Sequence, residues 1–179
     1  PYTWHDNSPA KCDAEFWGSV EAPWGALKGL YFNGGYTTRT TVPITSECIT
    51  IESTSNSAGI GEMVALYTSV DGRLDQNVLA ARLGADLTFV SMRNDIVASH
   101  PNHNAACCHA IVIQKQSISA FMNGVMYSQR AGTLLIPQNI TVYGGMNGVI
   151  MYGIRIYNRA LTQEELAHNY ELDKRRYGV

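Results

Sequence analysis

The densest set of ligand-type side chains is His100, His103, Cys107, Cys108 and His109. Cys and His are the preferred ligands of zinc, which takes four of them tetrahedrally. The spacing matches no common zinc finger. On a strand, residues 107, 108 and 109 alternate between faces, so the three cannot converge on one ion. The expectation is a structural stretch without metal. Asp71-Gly72-Arg73-Leu74-Asp75 lacks the spacing and closing Glu of an EF-hand loop. It reads as a turn; there, or at Asp6, is where a structural calcium could sit. No other cofactor is expected. No Gly-x-Ser-x-Gly elbow appears, and Gly59-Ile60-Gly61 lacks the rest of a phosphate loop. Asn139-Ile140-Thr141 fits a glycosylation acceptor, but a predicted strand makes chance the simpler reading.

Four cysteines, Cys12, Cys48, Cys107 and Cys108, permit two disulfides in three connectivities. Adjacent Cys107 and Cys108 point to opposite faces of a strand and fit a disulfide framework poorly. Free thiols are the expectation, and they lean toward folding in a reducing compartment. Aromatic rings are the other candidates for chemistry. Trp4, Trp24 and Tyr36 fall in loop-like stretches and could stack on sugar rings; these are the candidate binding residues. Trp17 and Trp24 equally suit the edge of a core. Tyr152, Tyr157 and Tyr170 read as core or helix-docking residues.

The elements that would hold these residues are mostly strands. The chain has 179 residues, which suits one domain spanning 1–179. Only 16% of residues are charged and the net charge is −2, so no basic face for nucleic acid is expected. No apolar run is long enough to span a membrane. The N-terminus shows no signal-peptide pattern and no Met, which suggests a processed product or a segment of a longer chain. Residues 1–28 read as an irregular lead-in with one short strand at most. Strands are expected at 29–36, 39–42, 44–52, 62–70, 78–83, 87–92, 108–118, 120–128, 136–143 and 149–157. Polar loops are expected at 53–61 and 94–106. The end is helical, over 162–177. Thr162 as N-cap and Glu165 three residues on form a capping box, with Leu161 and Leu166 as the hydrophobic staple. Lys174, Arg175 and Arg176 suit the negative helix end, and Gly178 suits the stop. Many short strands between turn signals, closed by one helix, predict an all-β, two-sheet antiparallel jelly-roll sandwich with a short C-terminal helix.

The string Gly153-Ile154-Arg155-Ile156-Tyr157-Asn158-Arg159-Ala160-Leu161-Thr162-Gln163-Glu164-Glu165-Leu166 resembles the closing signature of laminin-G-like, concanavalin-A-like jelly rolls, "RIYNRAL" followed by a capped helix. Ser119-Ala120-Phe121-Met122-Asn123-Gly124-Val125 is similar to that group's Asn-Gly hairpin. Cys108 to Ile113 and Gly29 to Gly34 sit where it has a central strand and an opening strand. Gly153 stands where relatives often carry an acidic residue. The glucanase branch of the fold carries Glu-x-Asp-x-x-Glu on one strand. In this chain the only Glu-x-Asp is Glu171-Leu172-Asp173, inside the predicted helix, where residues two apart do not share a face. It reads as solvated helix charge, and no catalytic residue and no enzyme are expected.

The resemblance therefore implies a non-catalytic recognition or adhesion module that binds a glycan or cell-surface polymer. It implies display beside other virion or surface-protein domains, on a phage particle or a bacterial surface, reached without a visible signal peptide. The alternative is a purely structural decoration or fibre domain; glycoside hydrolysis is the third reading.

Overall fold

The computed structural model describes residues 42–56, 107–131 and 150–179 with their side chains, and elsewhere only the backbone of the remaining strands. A seven-stranded antiparallel sheet runs in the order β13 (Val125–Ala131), β12 (Ser117–Met122), β11 (Cys107–Gln114), β6 (Ile49–Ser57), β15 (Val149–Tyr157), β4 (Leu30–Asn33) and β3 (Ser19–Glu21). A six-stranded sheet runs in the order β1 (Thr3–Trp4), β2 (Ala14–Phe16), β5 (Thr38–Pro43), β14 (Asn139–Gly144), β7 (Glu62–Ser69) and β8 (Asn77–Gly84). β9 (Thr88–Ser91) and β10 (Asp95–Ser99) form a separate pair. β7 lies near both β6 and β15, which sets the two large sheets against each other as a sandwich. The chain closes with α1 (Gln163–Tyr177). The expected fold class holds.

Several boundaries differ from the sequence reading, each for a physical reason. The lead-in carries three short strands, β1 to β3, rather than one. The predicted strand 108–118 is a hairpin that turns at Lys115 and Gln116. The predicted loop 94–106 contains β10, paired to β9. The largest change is at 53–61, where β6 continues to Ser57. Ser53, Thr54 and Ser55 are buried, and β11 and β15 pair with them from both sides. Ladder bonds satisfy this polar backbone, so low hydrophobicity did not make it a loop.

β6 and β11 are central strands covered on both faces. Ile49 and Ile51 lie opposite Ile113 and Ile111, which in turn lie opposite Ile118 and Ala120. With Met151 they form the apolar inner face, each at most 6% exposed. The alternate residues point outward, where α1 covers them. Ala110, Val112 and Phe121 meet Leu161 and Leu166 there, so the predicted staple pair belongs to one buried cluster.

The capping box is formed as expected. The Glu165 amide donates to Thr162 Oγ1 at 3.3 Å, and the Thr162 amide donates to Glu165 Oε2 at 2.9 Å. Gly178 closes the helix in the left-handed region, φ 77°, its amide bonded to the Lys174 carbonyl at 2.9 Å. The Asn-Gly hairpin packs on the helix. A Cβ on Gly124, φ 77°, would stand 2.5 Å from the Cα of Ala167. Only glycine meets both the turn conformation and that approach. Asn123 secures the turn by accepting from the Cys108 amide and donating to the Cys108 carbonyl.

The segment from Arg155 to Leu161 turns the last strand into the helix. Thr50 Oγ1 donates to the Arg159 carbonyl at 2.8 Å and accepts from the Leu161 amide at 2.9 Å. Asn158 Oδ1 accepts from the Thr45 amide, and its Nδ2 donates to the Pro43 carbonyl. These bonds fix where α1 begins, and hence what it lays over the sheet.

Candidate functional site

Beneath α1 the outer face of the sheet is polar, although it is buried. Thr50, Glu52 and Thr54 project from alternate positions of β6, and Arg155 lies opposite Glu52 on β15. Asp173 descends from the helix to meet them. It receives both guanidinium nitrogens of Arg155, Nη1 to Oδ2 at 2.7 Å and Nη2 to Oδ1, and the hydroxyl of Thr54. The sequence reading placed Asp173 among solvated helix charges, and the structure corrects it. Asp173 is 0% exposed, because a fork-shaped cation lies directly below its turn. Glu171 beside it is exposed, as expected.

One turn toward the helix start, Asn169 Nδ2 donates to Glu52 Oε2 at 2.8 Å and to the Tyr157 hydroxyl oxygen at 3.1 Å. Glu52 is 1% exposed and its Oε1 has no hydrogen-bond partner. Burial raises the Glu52 carboxyl above its ordinary value, against the pull of Arg155 and Asn169. Burial, with the charge of Glu52, pushes the Tyr157 hydroxyl up to about 12, so it keeps its proton.

Tyr157 and Asn169 form the inner wall of an open cleft of about 320 Å³ between the end of β15 and the first turns of α1. Arg159, Glu164, Glu165 and His168 line the rest among the described residues. Its charges are engaged locally. Arg159 Nη1 donates to Glu165 Oε2 at 2.8 Å. That bond, with the Thr162 amide, holds the Glu165 carboxyl down at about 2. Glu164 is also lowered, by its own backbone amide and then the Thr162 side chain. Both carboxylates are therefore anions at neutral pH. Among the described residues the cleft presents one aromatic ring, one amide, one imidazole and a surplus of negative charge.

Of the candidate binding residues, Trp24 and Tyr36 lie outside the described residues, and Trp4 falls on β1, of which only the backbone is described. Trp17, the Asp71 to Asp75 turn, Asp6, Cys12, His100 and His103 lie outside them as well. The rest of the Cys/His set divides as the strand period requires. Cys107 and His109 share the inner face, Sγ to Nε2 2.8 Å apart, while Cys108 lies on the helix side near Thr54. Burial pushes both thiols up to about 12, so neither is a nucleophile at neutral pH. Cys48, Cys107 and Cys108 are free. No group of three metal-ligating side chains stands together among the described residues.

Tyr157 docks the helix as expected and also walls the cleft. Glu52, His168 and Asn169 carry no motif that marks them in the sequence. The available signal was the period-two set Thr50, Glu52, Thr54, matched by Arg155 and Tyr157 on a second strand. Two polar strand faces of that kind, followed by a helix carrying Asn and Asp, are a buried network as readily as a solvated edge.

These features define a two-sheet antiparallel β-sandwich closed by a C-terminal helix. No protein-family model and no curated protein sequence matches the chain. Solved structures do. The chain is similar to a Trypanosoma rangeli sialidase, with a TM-score of 0.69 and 13% identity over 97% of this chain and 32% of that one. It is also similar to the binding domain of botulinum neurotoxin DC in complex with SialylT, with a TM-score of 0.66 and 10% identity over 94% of this chain and 48% of that one. A structure described by the dependence of botulinum neurotoxin type C cell entry on two ganglioside molecules matches at the same TM-score, identity and coverage. The chain thus spans about a third to a half of the proteins it resembles. The expectation of no enzyme is corrected by the sialidases among these likenesses. The missing Glu-x-Asp-x-x-Glu string argued against one strand-borne arrangement of carboxylates. Glycosidic bonds are also cleaved by other arrangements, including the Tyr nucleophile of sialidases.

Proposed function

We propose that this chain is a glycan-binding β-sandwich domain of a larger protein. The observation that carries the reading is the likeness over 94% of the chain to neurotoxin structures described with SialylT and with gangliosides. The low overall charge supports it, because a surface with few ions suits neutral polar contacts to hydroxyl-rich ligands. A setting on a virion or bacterial surface protein, beside other domains of that assembly, belongs to the proposal and rests on the tail signature alone.

A glycan array followed by calorimetry tests it. Saturable binding to at least one glycan class is expected. A flat response across neutral, sialylated and polysaccharide panels contradicts the reading. The sialidase likeness favours a second reading, glycan hydrolysis by the protein that carries this domain. Sugar released from the same panel is its measure.

A further inference from the structure

The cleft beside α1 has the parts of a saccharide site, and its charges select among saccharides. Sugar sites combine an apolar or aromatic surface with a few fixed, planar polar groups in a recess. In this cleft Tyr157 supplies the ring, with Asn169, His168 and Glu164 around it. Tyr157 and Asn169 are held from behind. Asn169 Nδ2 spans the Glu52 carboxylate and the Tyr157 hydroxyl, and Glu52 is buried with Oε1 unpartnered. A buried carboxylate that fixes both wall residues costs stability by itself. Its use is to hold the amide and the ring in one orientation before a ligand arrives, which lowers the ordering cost of binding.

The second step is electrostatic. An anionic sugar needs an available cation, usually a guanidinium presented to its carboxylate. The arginine in the described lining is Arg159, and its Nη1 is already bonded to Glu165. Glu164 and Glu165 then leave the described lining acidic, with the Glu52 carboxylate behind it. A sialic acid carboxylate entering the cleft would meet the like charge of Glu164 and Glu165, and the guanidinium in the described lining is already neutralised by Glu165 through Nη1. Hydroxyl groups would meet the carboxylate oxygens of Glu164, the imidazole of His168 and the Asn169 Oδ1, the acceptor left when both Nδ2 hydrogens are used.

We infer that the cleft between β15 and the first turns of α1 is a binding site for a neutral saccharide, with Tyr157 as stacking surface and His168, Asn169 and Glu164 as polar contacts. This rests on the glycan-binding reading and adds its location and ligand class. The probes are neutral β-galactoside oligosaccharides and the same oligosaccharides capped with sialic acid, titrated by calorimetry into the wild-type chain, His168→Ala and Glu164→Lys. Both residues are exposed and lie outside the buried network, and circular dichroism checks that each variant keeps its fold.

The wild type is expected to bind the neutral probe more tightly than the capped one. His168→Ala should weaken the neutral probe roughly three- to tenfold, the scale of one lost hydrogen bond. Glu164→Lys should narrow the gap between the two probes. Neutral binding unchanged in both variants would overturn the location while leaving glycan binding intact. A wild type that prefers the capped probe would overturn the ligand class. Binding to neither probe, nor to any glycan of the wider panel, would overturn the parent reading together with this one.

Discussion

The two faces of the seven-stranded sheet are built by opposite means. The centre of the inner face is Ile49, Ile51, Ile111, Ile113 and Met151, each at most 1% exposed, with the Cys107–His109 contact at its end. The outer face joins an apolar cluster at Leu161 and Leu166 to the ionic and amide network of Glu52, Arg155, Asn169 and Asp173. The inner face holds by area and fit, so loss is graded with the volume removed. The outer face holds by complementary groups, where removing one partner leaves the other buried and unsatisfied. Apolar packing alone would hold a helix against the sheet with some freedom to slide. The ion pair and the Asn169 bridge fix its register, and with it the cleft wall.

The largest effect should come from Asp173→Ala. It strands the Arg155 guanidinium and the Thr54 hydroxyl, and about 4 kcal/mol should be lost in urea unfolding. Asp173→Asn keeps the shape and part of the hydrogen bonding, so its loss should be smaller. If Asp173→Ala unfolds at the wild-type urea midpoint, the outer face is not a locked layer and the contrast collapses. Ile111→Ala should cost about 3 kcal/mol, from lost transfer energy and the cavity left behind. It should leave glycan affinity unchanged, because the inner face does not wall the cleft. A loss of affinity as great as that of His168→Ala would show that the two faces are not separable.

The smallest effect is a slope with pH. Glu52 is raised above its ordinary value of 4.5, so the folded chain holds this proton more tightly than the unfolded one. That contribution to stability is complete below pH 4.5 and is lost as pH rises through the raised value. Glu164 and Glu165 are lowered, and their contribution has the opposite sign, lost as pH falls below the ordinary value. They are present in both proteins and cancel in the difference. Glu52→Gln should therefore gain stability relative to wild type between pH 4.5 and neutrality, read from urea midpoints. A difference that stays flat with pH would mean that Glu52 bears no burial penalty.

The sequence carried the parts of this contrast that depend on period and capping. Strand alternation separated Ile49 and Ile51 from Thr50 and Glu52 correctly, and the box at Thr162 and Glu165 set the helix start. It could not show what lies over a polar strand face. Thr50 and Glu52 read as one side of a half-buried strand and Thr54 as the start of a polar loop, while Asp173, which bonds Thr54, lies 119 residues further on. The cleft depends on packing between elements as well. Tyr157 and Asn169 are 12 residues apart and joined by a hydrogen bond across the turn into α1. Local patterning predicts each element, while the site is a property of their register. Trp4, Trp24 and Tyr36 offer ring chemistry, but nothing in the sequence brings them together.

Amide chemical-shift mapping sets the two proposals for the site against each other. A neutral oligosaccharide titrated into the isotope-labelled wild-type chain should shift the resonances of Tyr157, Arg159, Glu164, His168 and Asn169 in a saturable way. Unmoved resonances at those residues, with saturable shifts at Trp4, Trp24 and Tyr36, would contradict the cleft and return the site to the aromatic residues of the N-terminal segment.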